Sequence, residues 1–209
     1  MTILHLFSGY NTFSEVAIKK GHSVVTVDIK NYKNCSSQLH LVDILHWNYK
    51  LYSWHSFDFI MIGFPCNTFS KASGGFHFAK HSIPKTVAAH KSIEMLYRVK
   101  EILEYFKNAH FMFENPTSAI LKNLHFINLF NPGQLNVIRV HQILYGHCTN
   151  KQTDLITNIN GLWLCNPVHR VNGKNTCPKF DNLSLQQRQS YPEKFCEAII
   201  EFVELYKNS

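Results

Sequence analysis

The stretch TILHLFSGYNTFSEVAIKKGHSVVTVD, residues 2–28, decides the fold. Each end of it is a short apolar run of the kind that forms a buried strand. Between the two runs, a turn leads into a segment in which Thr12 and Glu15 have the spacing of a helix-capping box, and Gly21 stands where a helix terminator is expected. The stretch therefore predicts a strand, a turn, a helix and a second strand that ends in Asp28.

This layout is typical of the first βαβ unit of a nucleotide-binding domain, in which an acid follows the turn by about twenty residues. Apolar runs just before Asp43 and at residues 57–63, 110–116, 137–140 and 154–157 predict further strands. Helical spacing of apolar residues predicts helices over 85–108 and 193–206, and residues 71–84 form a long loop. Strands that alternate with helices predict an α/β fold of the Rossmann-like type around a mostly parallel central sheet.

Polar or turn-forming residues follow several of the predicted strands. They are Ser8 and Gly9, Asp28, Asp43, Pro65 and Cys66, and Glu114. The carboxyl ends of parallel strands lie along one edge of a sheet, and ligands bind at that edge in such folds. Core packing does not account for polar residues at all of these ends, so the sequence predicts one composite active site.

The composition is that of a globular protein with a basic surface. The 209 residues, 45% of them hydrophobic, are enough for one domain with a sizeable core. We expect an intracellular protein, because no apolar stretch has the length of a membrane span and the N-terminus lacks the features of a signal peptide. The formal charge of +7 favours a polyanionic partner, and the six irregularly spaced cysteines are expected to be free thiols.

Five short motifs give the sequence a family resemblance. In order they are FSG at 7–9, VD at 27–28, DIL at 43–45, FPCNTFS at 64–70 and FENP at 113–116. This series resembles the motifs of cytosine-5 DNA methyltransferases, and together with YGHCTNKQTDLITN at 145–158 it is similar to the compact enzymes of phages and large DNA viruses. The resemblance implies an S-adenosylmethionine-dependent methyltransferase fold, with DNA as the substrate and methylation of carbon 5 of cytosine as the activity.

The resemblance also implies three catalytic residues. Cys66 would add to carbon 6 of cytosine as a thiolate, so that carbon 5 becomes nucleophilic enough to accept a methyl group. We expect a helix N-terminus or basic groups to lower the pKa of this thiol. Glu114 would act as the acid at ring nitrogen 3. Lys151, which aligns with the first arginine of the family's QxRxR segment, would supply positive charge near the pocket.

S-adenosylmethionine is the implied cofactor. The residues expected to bind it are Phe7, Ser8, Gly9, Tyr10, Asn11, Thr12, Asp28, Ile29, Asp43, Ile44 and Pro65, with Ser190 approaching the same site. Asp28 would accept hydrogen bonds from the ribose hydroxyls, and Asp43 would accept one from the adenine amino group. Asn11 replaces a family glycine, and we expect it to keep the turn because asparagine tolerates left-handed backbone.

The chain is expected to divide into a catalytic and cofactor-binding domain at 1–158, a short target-recognition-like insert at 159–189, and a C-terminal helix at 190–209 that packs back on the catalytic domain. The insert is very small, so it suits phosphate contacts and a very short target. It contains Cys165, His169 and Cys177, which with Cys148 resemble a zinc site only loosely. Their spacing is irregular, and we expect no metal.

Three alternatives remain open from the sequence. The first is methylation of RNA, as in the tRNA-methylating branch of the superfamily. The second is a catalytically inactive nucleic-acid-binding relative, which the departures at Asn11 and Phe64 keep open. The third is a cysteine hydrolase in which His77 or His81 activates Cys66. In each case we expect a monomer with no membrane partner.

Overall fold

The computed structural model describes residues 1–32, 37–70, 73, 75–117, 120–149, 151–161, 184 and 190–207. Within these residues, seven strands form one sheet: β1 (Thr2–Leu6), β2 (Ser23–Asp28), β3 (Gln38–Leu41), β4 (Phe59–Gly63), β5 (His110–Pro116), β6 (Asn136–His141) and β7 (Gln152–Thr157). The helices are α1 (Thr12–Lys19), α2 (Val87–Tyr105), α3 (Leu124–Phe130) and α4 (Glu193–Lys207). The α/β class predicted from the sequence is confirmed.

The sheet has the strand order β3-β2-β1-β4-β5-β7-β6. The first five strands are parallel, and β7 pairs antiparallel with both β5 and β6. The chain runs outward in opposite directions from β1 and from β4, so the ligand-binding crevice of such a sheet is expected beyond their carboxyl ends. The sheet is therefore mostly parallel, as predicted, with an antiparallel edge that the hydrophobic pattern did not predict.

Helices cover both faces of the sheet. On one face, Phe13 and Val16 of α1 and Phe195 and Ile199 of α4 pack against the sheet in one apolar cluster. Burying a large apolar side chain contributes roughly 1.5–3 kcal/mol, so this cluster fixes α4 onto the rest of the fold. The Lys20 ammonium adds an ion pair to α4, 3.0 Å from Glu201. The second apolar cluster lies under α2 and α3.

The first βαβ unit forms with one difference from its prediction. The N-cap of α1 is Asn11, and Thr12 is the first helical residue, so the predicted capping box is wrong. The end of α1 is as expected. Gly21, at φ 86°, allows its own N–H to reach the Ile18 carbonyl and the next N–H to reach the Ala17 carbonyl, which is the Schellman pattern.

Several other boundaries differ from those predicted. The strand expected at 57–63 begins at Phe59, and the helix expected over 85–108 covers Val87–Tyr105. Strands and helices do not alternate throughout, because a single helical turn at Tyr49–Leu51 stands where a helix between β3 and β4 would be. The short helix α3 was not predicted. In the part of the chain that the structure describes, no helix has the length and apolar character needed to cross a membrane.

Candidate active site

A cavity of about 940 Å³ opens beyond the carboxyl ends of the parallel strands. Every residue that the sequence predicted as catalytic or cofactor-binding lines it, and so does Ser190. They are Phe7, Ser8, Gly9, Tyr10, Asn11, Thr12, Asp28, Ile29, Asp43, Ile44, Pro65, Cys66, Glu114 and Lys151. The fold thus brings together residues from distant parts of the sequence, as Phe7, Lys151 and Ser190 show.

The turn after β1 forms one wall of the cavity. Phe7, Gly9 and Asn11 all have left-handed backbone, with φ of 56°, 53° and 60°. Asn11 therefore adopts the conformation that the family's glycine would supply, as expected from its tolerance of that region. Phe7 lacks that tolerance, and backbone strain of this kind costs about 1–3 kcal/mol and concentrates at functional sites.

Asp28, the last residue of β2, is hydrogen-bonded to this turn. Its Oδ2 accepts a hydrogen bond from the Gly9 N–H at 2.8 Å, and its Oδ1 accepts one from the Lys30 N–H at 2.9 Å. Each carboxylate oxygen has two lone pairs, so both keep an acceptor position for a ligand hydroxyl. Close by, Ser8 Oγ is buried in the cavity wall and has no hydrogen-bond partner among the described residues.

Asp43 lies two residues after the end of β3 and also lines the cavity. Its Oδ2 lies 2.7 Å from the Lys91 ammonium of α2, and its Oδ1 accepts a hydrogen bond from the Leu45 N–H at 3.1 Å. Burial by itself raises the pKa of Asp43, but these two donors outweigh it and lower the pKa below its usual value. Asp43 therefore presents a carboxylate to the cavity.

Cys66 lies in the tight turn after β4, where the Phe69 and Ser70 N–H groups both bond to its carbonyl. The thiol is partly exposed in the cavity. Burial, followed by the negative charge of Glu114, raises its pKa, although Lys151 acts in the opposite direction. The expected lowering of this pKa is wrong for the free protein, because α2 begins only at Val87 and, among the described residues, the Lys151 cation does not outweigh burial and the carboxylate.

Glu114, at the end of β5, is held at both oxygens. Thr153 donates a hydrogen bond to Oε1 at 3.1 Å, and the Tyr191 hydroxyl donates one to Oε2 at 2.9 Å. Lys151 Nζ lies 3.7 Å from Oε1 and 5.3 Å from the centroid of the Tyr191 ring. Gln142 extends the chain of bonds, since its Nε2 donates to Thr153 Oγ1 at 2.7 Å.

Sequence reasoning missed Thr153 and Tyr191 as parts of this site. Thr153 aligns with the second arginine of the family's QxRxR segment, which was the available signal for it. Tyr191 directly follows Ser190 in RQSYPEKF, residues 188–195, which resembles the family's C-terminal GN(A/S)VP segment only faintly. Its partner Glu114 is 77 residues away, so only the folded chain reveals the contact.

Other candidate residues are not brought to the cavity. His77 Nδ1 bonds to Thr86 Oγ1 at 2.8 Å, and neither His77 nor His81 lines the cavity, which removes the basis for a cysteine hydrolase. Cys148 is exposed, and the other three residues weighed for zinc lie outside the described residues. Across the described ranges, no group of three potential metal ligands occurs.

Comparison with known proteins agrees with this geometry. The model of the C-5 cytosine-specific DNA methylase family matches residues 1–130. The chain belongs to this family. A viral member, named "Probable DNA (cytosine-5)-methyltransferase", from Frog virus 3 (isolate Goorha), is 32% identical over 128 residues, which cover 58% of this chain and 56% of that protein. The chain thus spans about half the length of the curated relative that it matches.

Solved structures of methyltransferases share the fold of this family member. The methyltransferase EhMeth of Entamoeba histolytica aligns with a TM-score of 0.55 at 15% identity, over 75% of this chain and 52% of that one. DNMT2 of Spodoptera frugiperda aligns with a TM-score of 0.51 at 17% identity, over 78% and 51%. Family and fold together imply S-adenosylmethionine as the cofactor.

Proposed function

We propose that the chain is a cytosine-5 methyltransferase that acts on DNA through a transient bond between Cys66 and the base. One observation carries this proposal: the thiol of Cys66 and the carboxyl of Glu114 line the same cavity as the strained first turn. If the sulfur of Cys66 were enclosed by apolar side chains and far from Glu114, the proposal would be excluded. Because the chain covers about half of its matched relative, activity and substrate rest on this chemical argument.

The reaction would begin with addition. The thiol proton of Cys66 would pass to the Glu114 carboxylate, the sulfur would form a bond to carbon 6 of cytosine, and the displaced electron pair of the ring would move to nitrogen 3, which takes the proton from Glu114. Carbon 5 then becomes nucleophilic, and the cofactor supplies the methyl group. In the final step, the proton on carbon 5 leaves and the bond between carbon 6 and sulfur breaks.

The electrostatics of the cavity would link thiolate formation to binding of the base. In the free protein, the charge of Glu114 is one cause of the raised pKa of Cys66. When Glu114 holds a proton against ring nitrogen 3, its negative charge is neutralised, so that cause weakens and the pKa of Cys66 falls. The nucleophile would therefore form mainly when its target is present, which protects the thiol from side reactions.

The wall around the first turn fits S-adenosylmethionine. Asp28 keeps an acceptor position on each oxygen for the ribose hydroxyls, and the unpartnered hydroxyl of Ser8 is available to a polar group of the ligand. Ile29, 59% exposed beside Asp28, offers an apolar face for the adenine ring, with the Asp43 carboxylate at the same end of the cavity. A cofactor held in this wall would have its methyl group near Cys66.

The distribution of charge suits a polyanionic substrate. No aspartate or glutamate occurs between Asp58 and Glu94, a stretch that includes Cys66 and four lysines. Such a surface attracts nucleic-acid phosphates, and a base must leave its stack to enter a pocket of this depth. We also propose that residues 1–158 form the catalytic domain, that 159–189 act as a short target-recognition insert, and that the protein works as a monomer.

Covalent trapping tests the proposal. We expect the protein with S-adenosylmethionine to form a stable adduct on duplex DNA that contains 5-fluorocytosine, because fluorine at carbon 5 prevents the final elimination. The Cys66→Ser variant should form no adduct and transfer no methyl group, while its affinity for S-adenosylmethionine stays within about threefold of wild type, since the hydroxyl is a much weaker nucleophile. The readouts are gel-shifted protein and calorimetry.

Three outcomes would count against this proposal. Full activity of Cys66→Ser refutes the nucleophile. Failure of the wild-type protein to bind S-adenosylmethionine favours an inactive nucleic-acid-binding relative. Transfer to tRNA in a parallel assay, without transfer to DNA, moves the substrate to RNA.

A further inference from the structure

Tyr191 is a half-buried residue of the site that the family match at 1–130 does not include. Its hydroxyl donates a hydrogen bond to Glu114 Oε2 at 2.9 Å. Burial, together with the charge of Glu114, raises its pKa well above the usual value. The hydroxyl therefore keeps its proton over the physiological range and acts toward Glu114 as a donor.

The surroundings of Tyr191 hold it in this position. Its ring packs edge-on against Phe195 of α4, with 5.8 Å between centroids, and the Lys151 ammonium lies over the ring. Gly63, which pairs with Glu114 in the sheet, leaves the space that the hydroxyl occupies. A Cβ on Gly63 would lie 3.2 Å from the Tyr191 oxygen, so a larger residue there would press against it.

The two donors on Glu114 act on different oxygens. Tyr191 bonds to Oε2 and Thr153 bonds to Oε1, so rotation of the carboxyl group breaks at least one of the two bonds. A carboxyl held at one oxygen only can turn about its last side-chain torsion, which has a broad energy profile. Catalysis by an acid requires that its oxygen be held within hydrogen-bond reach of the reacting atom.

We propose that Tyr191 is a positioning residue that orients the carboxyl of Glu114 toward the base during addition of Cys66. The inference rests on the proposed function, because it gives Glu114 the role of acid. The residue comes from the segment that leads into α4, so the C-terminal part of the chain completes a site whose reacting groups lie before residue 130.

The test is a double-mutant cycle on the rate of adduct formation with 5-fluorocytosine DNA. Tyr191→Phe keeps the ring and removes the donor, and we expect the adduct to form about tenfold more slowly, with the affinity for S-adenosylmethionine unchanged and a lower melting temperature, because one hydrogen bond to a carboxylate is lost. Glu114→Gln alone should slow it by about 10². If Tyr191 acts through Glu114, adding Tyr191→Phe to Glu114→Gln slows the reaction by about twofold or less.

Tyr105→Phe is the matched control. Its hydroxyl donates to the Tyr52 carbonyl at 2.8 Å on the opposite side of the sheet, so the variant also loses one partly buried hydrogen bond. We expect a wild-type rate of adduct formation from it. If the double variant is slower by the product of the two single reductions in rate, Tyr191 does not act through Glu114. That result would overturn the positioning role and leave the proposed function intact.

A second readout does not require activity. In protein labelled with ¹³C at the tyrosine Cζ, the resonance that disappears in Tyr191→Phe belongs to Tyr191. We expect it to move in Glu114→Gln, because an amide accepts a weaker hydrogen bond than a carboxylate. If the wild-type protein forms no adduct, the proposed function fails. If the Tyr191 resonance also stays unmoved in Glu114→Gln, the hydrogen bond between Tyr191 and Glu114 is refuted as well.

Discussion

The parallel part of the sheet and its antiparallel edge contribute to the site in opposite ways. In the parallel strands β1 to β5, the functional residues lie at or just beyond the carboxyl end of a strand: Asp28 ends β2, Glu114 is near the end of β5, and Cys66 follows β4. In β7 they stand at its start, since Lys151 directly precedes this strand and Thr153 is its second residue. Reversal of the strand brings its amino end to the edge of the sheet where the parallel strands have their carboxyl ends, and Pro116 pairs there with Thr153.

The two regions also differ in the kind of residue that they supply. The parallel part supplies the groups that would react or hold the cofactor, such as Cys66, Asp28 and Glu114. The antiparallel edge and the segment before α4 supply groups that touch Glu114, namely Thr153, Lys151 and Tyr191. Under the proposed function, one region would carry the chemistry and the other would orient it, and each can be disturbed separately.

The largest effect on stability and on the rate of adduct formation is expected from a substitution at Gly63, where the two regions meet. In Gly63→Ala the added Cβ would lie 2.9 Å from the Phe7 carbonyl oxygen and 3.2 Å from the Tyr191 hydroxyl. We expect about 1–3 kcal/mol less free energy of unfolding and a rate of adduct formation lower by about 10², because Glu114 loses its orientation. Denaturant unfolding and trapping kinetics measure these quantities.

Gly133→Ala provides the control for that substitution. Its Cβ would meet only Asn131 Oδ1, at 3.7 Å, which is an ordinary contact. Its stability should stay within about 0.5 kcal/mol of wild type. If Gly63→Ala has the stability and the rate of adduct formation of wild type, the two regions are not in tight steric contact at this point.

A smaller effect is expected within the antiparallel edge. Thr153→Val keeps the shape of a fully buried side chain but removes the donor to Glu114 Oε1 and the acceptor for Gln142 Nε2. We expect adduct formation about tenfold slower and roughly 1–3 kcal/mol less stability, since the Gln142 amide is left without this partner. Thr26→Val makes the same change in β2, and its rate should equal that of wild type.

The smallest effect concerns the pKa of Cys66 in the absence of DNA. Its alkylation by iodoacetamide should increase with pH and reach its midpoint above the usual thiol value of 9.0, because burial and then the Glu114 charge raise the pKa. Glu114→Gln removes that charge, so its midpoint should lie at lower pH than in wild type. Peptide mass spectrometry separates Cys66 from the other thiols, and equal midpoints would contradict the electrostatic link between the two residues.

The sequence predicted the parallel region better than the edge, for a physical reason. Residues 2–28 carry their own turn, helix terminator and strand-end acid, so local patterns are enough for β1, α1 and β2. The spacing of hydrophobic residues does not depend on the direction of a strand. The antiparallel pairing of β7 was therefore not predicted. Helix α3, seven residues with the sequence LHFINLF, is too short and too evenly apolar to show a helical period.

The site shows the same division. The residues that line the cavity follow predicted strands or family motifs, so the sequence placed them together. The residues that bond to Glu114 come from distant segments of the chain. The local sequence around Tyr191 does not indicate its contact with Glu114. The expected lowering of the Cys66 pKa was wrong for a related reason, because the net charge of a pocket depends on which groups the fold brings into it.

The strand order has a consequence for the growing chain on the ribosome. In the sheet, β7 lies between β5 and β6, although it is made after both. During synthesis from the amino end, β6 is made before the strand with which it pairs, and it joins the sheet only when β7 fills the place beside β5. The turn after β1 and its partner Asp28 are made early, whereas Thr153 and Tyr191 are made late, so the contacts that hold Glu114 form only after most of the chain has been synthesised.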